Sequence, residues 1–405
     1  MTIHARQFTT SARTQPWWYA ALNTISAILP AGKFDASAWV RAAVDAAGEE
    51  PEADVRDAFE SLVHSLEADS GLGVIGKVAA REDCTRRLLE HLKARPVVRA
   101  AQLDAPASMP SPIYVLGWMR SGTTALHQLL AADPEHWSPR HYETMFPVST
   151  HAGAEDPRWE QVAAVLAELR RVSPNYQAIH PMRPDNPEEC LNLFAHSFRT
   201  PQFAVQFRVP SYLRWLQGQD PNIAYGRYVE ELGILRRRRG GGSRMVLKDP
   251  THIGYLPALL ERFPSAKFVF IHRDPVDVFS SMSSMYAYTR AIFSRDIDPK
   301  TIGPELFDDP LLDAHAAGVA CCDSLGAGRV AHVRHQDFCA DPVASARAVY
   351  ETLDIGWSAP GEAAVREHAA RPRPDHKHEH SPEAFGLRPA AMRERLADYC
   401  ERFDL

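Results

Sequence analysis

Between the apolar run 113–116 and a helically spaced Leu126, Leu129 and Leu130 stands Gly117-Trp118-Met119-Arg120-Ser121-Gly122-Thr123-Thr124. A buried strand, a glycine-bounded turn and a helix in direct succession leave few folds open. The unit belongs in a parallel sheet, where such a loop aims several backbone N–H groups and a helix N-terminus at one point. Three further short apolar runs, 245–247, 267–271 and 330–333, read as buried strands, each followed by helical periodicity. Strands alternating with helices predict an α/β fold, P-loop-like and three-layered, with a central, mainly parallel sheet and right-handed crossovers.

The first hundred residues read differently. Apolar residues recur at helical spacing, as in Val55, Phe59, Leu62, Val63 and Leu66, and no strand-like run appears. Asp35 and Asp54 are placed to cap helix starts, and Gly71 with Gly73 marks a break. Residues 104–112 carry three prolines and read as a linker. The expected organisation is a helical N-terminal segment over 1–107 and an α/β domain over 108–405. Residues 150–240 are mostly helical and rich in aromatic side chains. The basic run 236–243 reads as the solvated end of a helix and its connector.

Composition narrows the partners. The chain of 405 residues is 45% apolar and 24% charged with a net charge of -6, which gives no global reason to expect nucleic acid. Any anion site is local. Six scattered cysteines form no disulfide framework, and a reduced cytoplasm is the expected setting. The apolar stretch 17–29 contains Asn23, Thr24 and Ser26; it is too short and polar to span a bilayer and reads as a buried helix face. A homodimer is among the assemblies the sequence allows.

The glycine loop selects its ligand by its cation. The spacing Gly117-x4-Gly122 matches the nucleoside-triphosphate loop, except that Thr123 stands where that loop has its lysine. The fixed cation is Arg120. This suits a 5′-phosphate whose attached group carries less charge than a triphosphate tail, so a metal is not required. The hydroxyls of Ser121, Thr123 and Thr124 can add hydrogen bonds, and Gly122 admits close backbone approach. Further on, the strand 267–271 delivers Arg273 to its C-terminal end, Asp274-Pro275 opens a helix, and Ser281 lies about two turns along it. Ligands collect at such strand ends, so Arg273 can share a crevice with Arg120. The alternative is an ion pair of Arg273 with Asp274 or Asp277. Lys248, at the end of the strand 245–247, points another cation to the same crevice. His376, His378 and His380 alternate without a matching Cys or carboxylate set, so no metal site is expected there.

These motifs resemble the sulfotransferases that use 3′-phosphoadenosine-5′-phosphosulfate (PAPS), over about residues 112–390. That family has P-[KR]-S-G-T-T after a strand, and here Met119 precedes Arg120-Ser121-Gly122-Thr123-Thr124 in place of the proline. Its arginine and, eight residues later, serine for the 3′-phosphate match Arg273 and Ser281. The block Leu247-Lys248-Asp249-Pro250-Thr251-His252 resembles the LK-x-P-x-H segment of a bacterial branch, which implies that Lys248 and His252 stabilise the leaving 5′-phosphate or help activate the acceptor. Tyr142-Glu143 before Pro147 fits the W/Y-E-x-x-x-P context in which some bacterial members place a catalytic glutamate. As general base the resemblance ranks Glu143 first, His252 second and the neighbouring His141 third. Near the C-terminus, 378–386 resembles H-x-Y-x-x-x-x-F-G, with His380 at the tyrosine position. Lys377 and His378 would then close over the 3′-phosphate.

The implied function is transfer of a sulfuryl group from PAPS to a hydroxyl of a lipophilic small molecule, with 3′,5′-ADP as product. Of the aromatic side chains of this region, among them Phe194, Phe198, Phe203, Phe207, Tyr212, Trp215, Tyr286 and Tyr288, some must be core, and the excess is expected to form a greasy acceptor pocket. Two other readings compete: a P-loop kinase using ATP-Mg, and a non-catalytic scaffold that keeps the nucleotide fold.

Overall fold

The computed structural model describes residues 33–101, 111–149, 156–173, 176–239, 244–294, 297–309, 311–372 and 380–405. Five strands form one sheet: β1 Ile113–Leu116, β2 His136–Trp137, β3 Arg244–Lys248, β4 Lys267–His272 and β5 Val330–Arg334. Their order is β2-β3-β1-β4-β5 and every pairing is parallel. The four expected strands are present. The fifth, β2, has two residues and offers no run of apolar positions to read.

All four residues of β1 are buried, as a central parallel strand requires. Alternate side chains feed two cores. Tyr114 and Leu116 join Leu247, Phe268 and Phe270 on one face. Ile113 and Val115 join Val246, Val269 and Ile271 on the other, under Leu126, Leu129 and Leu130. Helices therefore cover both faces, which makes three layers. Val115 lies level with Lys248 of β3 and with Val269 of β4. The C-terminal ends of β1, β3 and β4 thus open on one edge, where the site is built.

Among the described residues, three helices precede the sheet: α1 Ala36–Ala47, α2 Ala53–Asp69 and α3 Val74–Ala101. Asp35 caps α1, accepting from the Ala38 N–H at 2.9 Å. Asp54 does not cap α2; Glu52 holds the N-cap position without a side-chain bond, and Asp54 accepts from Arg227 at 3.1 Å instead. These helices share a core with the middle region, where Phe59 meets Phe198 edge to face at 5.0 Å and Phe203, Phe207 and Tyr212 complete the cluster. Arg95 clamps Glu230 at 2.6 Å across the same boundary. Much of the aromatic excess of the middle region is thus core, holding the N-terminal helices to the chain, rather than pocket wall.

Candidate functional site

The loop after β1 leads into α4 Thr123–Leu130 through three left-handed backbone positions: Gly117 at φ +138°, Arg120 at +72° and Gly122 at +102°. Glycine is required at the outer two. A Cβ on Gly117 would lie 2.7 Å from the Ile271 carbonyl oxygen, and one on Gly122 would lie 2.9 Å from the His335 ring. Arg120 carries its strain without that freedom. Ser121 closes the turn: its N–H and its hydroxyl both donate to the Trp118 carbonyl, at 3.1 and 2.7 Å. Its side chain is occupied by the loop itself.

Two guanidinium groups gather beside this loop. Arg120 donates to the Ile179 carbonyl at 2.9 Å and to Ser281 Oγ at 3.1 Å, both neutral acceptors. Arg273, just past β4, donates to the Arg120 carbonyl at 3.0 Å. Burial, and then the Arg273 charge, pull the pKa of Arg120 below the usual arginine value, as expected for a buried cation beside another. The ion pair of Arg273 with Asp277 exists but is 3.4 Å long and lies on the surface side, a type that contributes little. Asp274 instead caps the helix α5 Pro275–Phe293, accepting from the Val276 N–H at 2.8 Å, and pairs with Arg393 at 3.0 Å. Ser280 on the same helix hydrogen-bonds His380 at 2.7 Å.

The third cation comes from the end of β3. Lys248 is 1% exposed; its ammonium donates to Thr124 Oγ1 at 3.1 Å and to the Glu189 carboxylate. Glu189 reaches this point because residues 186–190 are stitched between two edges: the Glu188 N–H donates to the Pro139 carbonyl, and the Cys190 N–H to the Lys248 carbonyl, both at 2.9 Å. Burial raises the Glu189 pKa, but Lys248, and less strongly His180, outweigh it and hold the group below its ordinary value. Glu188, one residue earlier, stands 3.5 Å from His141 Nδ1.

One cavity of about 450 Å³ unites these groups. Arg120, Gly122, Thr123, Thr124, Lys248 and Arg273 line its cationic end, together with His335. His141, His180, Glu188 and Glu189 line the adjoining wall, and α3 adds Asp83, Arg86 and Arg87. Ser281 does not line this cavity and is linked to it only by accepting from Arg120.

Ser121 is also absent from the cavity wall, and two of the three general-base candidates are placed elsewhere. Glu143 is buried and accepts from the Arg140 N–H at 2.8 Å, completing a capping box on the short helix His141–Met145; it is absent from the cavity wall. His252 is fully buried in the 3₁₀ turn Pro250–Tyr255, bonded through Nδ1 to the Tyr225 hydroxyl at 2.7 Å and ringed by Tyr114, Phe194 and Tyr228. Burial drives its pKa down to about 3, so it is a neutral core ring. Lys377, His376 and His378 lie outside the described residues. Glu188, Glu189 and His180 are site residues that the sequence reading missed; two adjacent carboxylates before the apolar Leu191, Leu193 and Phe194 were the available signal. Among the described residues no group of three or more His, Cys, Asp or Glu side chains could hold a metal ion, and no helix is long and apolar enough to cross a membrane.

Known proteins share this fold. Solved structures of the same shape include sulfotransferase STF1 from Mycobacterium tuberculosis H37Rv, at TM-score 0.76 and 25% identity over 90% of this chain and 99% of that one. Sulfotransferase STF9 from Mycobacterium avium superposes at TM-score 0.80 with 22% identity over 92% and 99% of the two chains. The omega-hydroxy-beta-dihydromenaquinone-9 sulfotransferase Stf3 of Mycobacterium bovis is 26% identical over 258 residues, 60% of this chain. The match spans 63% of that relative's length. The family described as the sulfotransferase family matches residues 112–359, from the start of β1 to beyond β5. This chain belongs to the sulfotransferase family.

Proposed function

We propose that the chain transfers a sulfuryl group from PAPS to a hydroxyl of a lipophilic small molecule and releases 3′,5′-ADP. The observation that carries this reading is the pairing of Arg120 with Arg273 and Ser281 beside a glycine cradle that has Thr123 in the lysine position. A donor with phosphate at two ends of its ribose needs two anion positions, and the two cation-bearing segments support such a reading. The cradle serves the 5′ end; Arg273 and Ser281 serve the 3′-phosphate. Arg120, whose donors go only to neutral oxygens in the contacts described above, fits a site whose negative charge arrives with the ligand.

The donor, when bound, supplies the sulfuryl group; the remaining work falls to side chains of this chain. Lys248, anchored to Thr124 of the loop, would stabilise charge on the leaving 5′-phosphate. His141 lines the cavity with Glu188 3.5 Å from its Nδ1; the carboxylate would hold the ring proton on Nδ1 and leave Nε2 to take the acceptor's hydroxyl proton. Glu188 beside it would stabilise the resulting imidazolium. Glu143, committed to its cap, is the weaker choice. The lipophilic acceptor is supported by the relative Stf3, whose name specifies a hydroxylated menaquinone.

Incubation with radiolabelled PAPS and a panel of lipophilic alcohols and phenols tests the reading. Label should appear in an organic product with equimolar 3′,5′-ADP. Consumption of no donor, or release of inorganic sulfate alone, would overturn it.

A further inference from the structure

The C-terminal helix Ala397–Phe403 meets both anion-binding segments at points outside the cationic cavity. The ring of its Tyr399 packs against Trp118 of the glycine loop with centroids 4.8 Å apart, and His315 stacks on the same indole at 3.9 Å. The Tyr399 hydroxyl lies 2.9 Å from Nδ1 of His272, the residue that ends β4 and directly precedes Arg273. Nε2 of His272 lies 2.8 Å from Nδ1 of His332 on β5, and Phe403 stacks on the His272 ring at 3.5 Å. Two ion pairs fasten this end of the chain: Arg402 with Asp323 at 2.6 Å, and Arg393 at 3.0 Å with Asp274, the residue after Arg273. One side chain, Tyr399, thus touches both the loop that carries Arg120 and the strand end that carries Arg273.

The two hydrogen bonds of His272 run in one direction. Burial, followed by the charges of His332, His315 and Arg402, drives its pKa down to about 2, so the ring is neutral and carries a single N–H. Among the described residues the Tyr399 hydroxyl has no other hydrogen-bond partner. A hydrogen on Nδ1 would leave the phenol without an acceptor, which costs free energy. Tyr399 therefore donates to Nδ1, and the Nε2–H of His272 donates to His332. The His272 ring is held at both nitrogens and on one face, and the backbone leading to Arg273 is held with it. We propose that Tyr399 is a positioning residue for the donor: its hydroxyl, through His272, holds Arg273 at the 3′-phosphate, and its ring, through Trp118, holds the glycine loop at the 5′ end. This rests on the donor reading above, since Arg273 is taken to meet the 3′-phosphate.

The test is calorimetric titration of the full chain with 3′,5′-ADP and with 5′-AMP, which lacks the 3′-phosphate. Tyr399→Phe keeps the ring against Trp118 and removes the O–H. At the exposed His332, His332→Leu removes the acceptor that meets His272, whereas His332→Asn keeps an acceptor oxygen in its place. Tyr399→Phe and His332→Leu should each bind 3′,5′-ADP about fivefold more weakly, the weight of one hydrogen bond. Both should bind 5′-AMP as the unmodified chain does, which also shows that the fold is intact, and His332→Asn should bind both nucleotides normally. Equal weakening of the two nucleotides in Tyr399→Phe would reduce Tyr399 to a support of the fold and overturn the assignment. If Tyr399→Phe does not fold, the His332 pair decides: indifference of 3′,5′-ADP to His332→Leu overturns it. An unmodified chain that binds both nucleotides equally refutes the donor reading, and the positioning role with it. A chain that prefers 3′,5′-ADP, with variants that keep the full preference, leaves the donor reading standing and overturns the positioning role alone.

Discussion

Glu189→Gln isolates the electrostatics of the site. The Lys248 ammonium is buried and touches both Glu189 and Thr124 Oγ1. Removing the carboxylate leaves that charge with one neutral partner, which should destabilise the nucleotide-free protein by about 3–5 kcal/mol. The same change should strengthen anion binding. Because Lys248 bridges Glu189 to Thr124, an anion hydrogen-bonded to the loop would sit within about 8 Å of the carboxylate. At that distance and an effective dielectric of about 20, one unit of like charge costs about 2 kcal/mol. Glu189→Gln should thus bind 3′,5′-ADP roughly thirtyfold more tightly. Urea unfolding with and without 3′,5′-ADP, together with calorimetric titration, reads both quantities. The nucleotide should restore part of the lost stability, and its protective effect should exceed that in the unmodified chain. Unchanged or weaker affinity, or a stability loss under about 1 kcal/mol, would refute the buried-pair reasoning.

Two further outcomes follow from the placement of histidines. His141→Gln should keep 3′,5′-ADP affinity and lower kcat by about a hundredfold or more, whereas Glu143→Ala should chiefly cost about 1 kcal/mol of stability through the lost cap; single-turnover transfer and urea unfolding separate them, and the reverse pattern would return the base assignment to Glu143. Burial, the leading cause at each position, lowers the pKa of His127, His252, His272 and His315 to about 4, 3, 2 and 3. The unfolded chain protonates these rings near 6.5 and so binds more protons between about pH 6.5 and 4; stability must fall with pH through that window. Between pH 7.5 and 5.5 each ring costs about 1.3 kcal/mol, and because Asp249, raised to about 7 by burial, offsets about 2 kcal/mol of their sum, a net loss of about 3 kcal/mol is expected from urea unfolding. An unchanged unfolding midpoint would contradict neutral burial.

The parts of this site that were legible in the sequence are those encoded locally. β1, the glycine loop and α4 are contiguous, so strand burial, turn chemistry and helical spacing reinforce one another over residues 113–130. Arg273 and Ser281 were legible for the same reason, one at a strand end and the other two turns into the helix that follows. Glu189 was not, because it reaches Lys248 through hydrogen bonds to Pro139 and to β3 that no local pattern announces. His252 shows the converse. Its motif spacing is intact, yet the 3₁₀ turn rotates the ring into an aromatic core. Glu143 did carry a local signal, a glutamate three positions after the residue that opens a short helix, and that signal describes a cap. The aromatic middle region failed as a pocket marker because composition cannot distinguish core from cavity wall. Phe198, Phe203 and Phe207 pack under α1–α3, while Tyr286 does line a second cavity.

Calorimetric titration of the full chain with 3′,5′-ADP, set against ATP with Mg²⁺, tests the central claim most directly. The two-anion site predicts tight 3′,5′-ADP binding without metal, weakened at least a hundredfold in Arg273→Ala, a charged contact worth about 3 kcal/mol. A preference for ATP with Mg²⁺, or 3′,5′-ADP binding that is indifferent to Arg273→Ala, would contradict it.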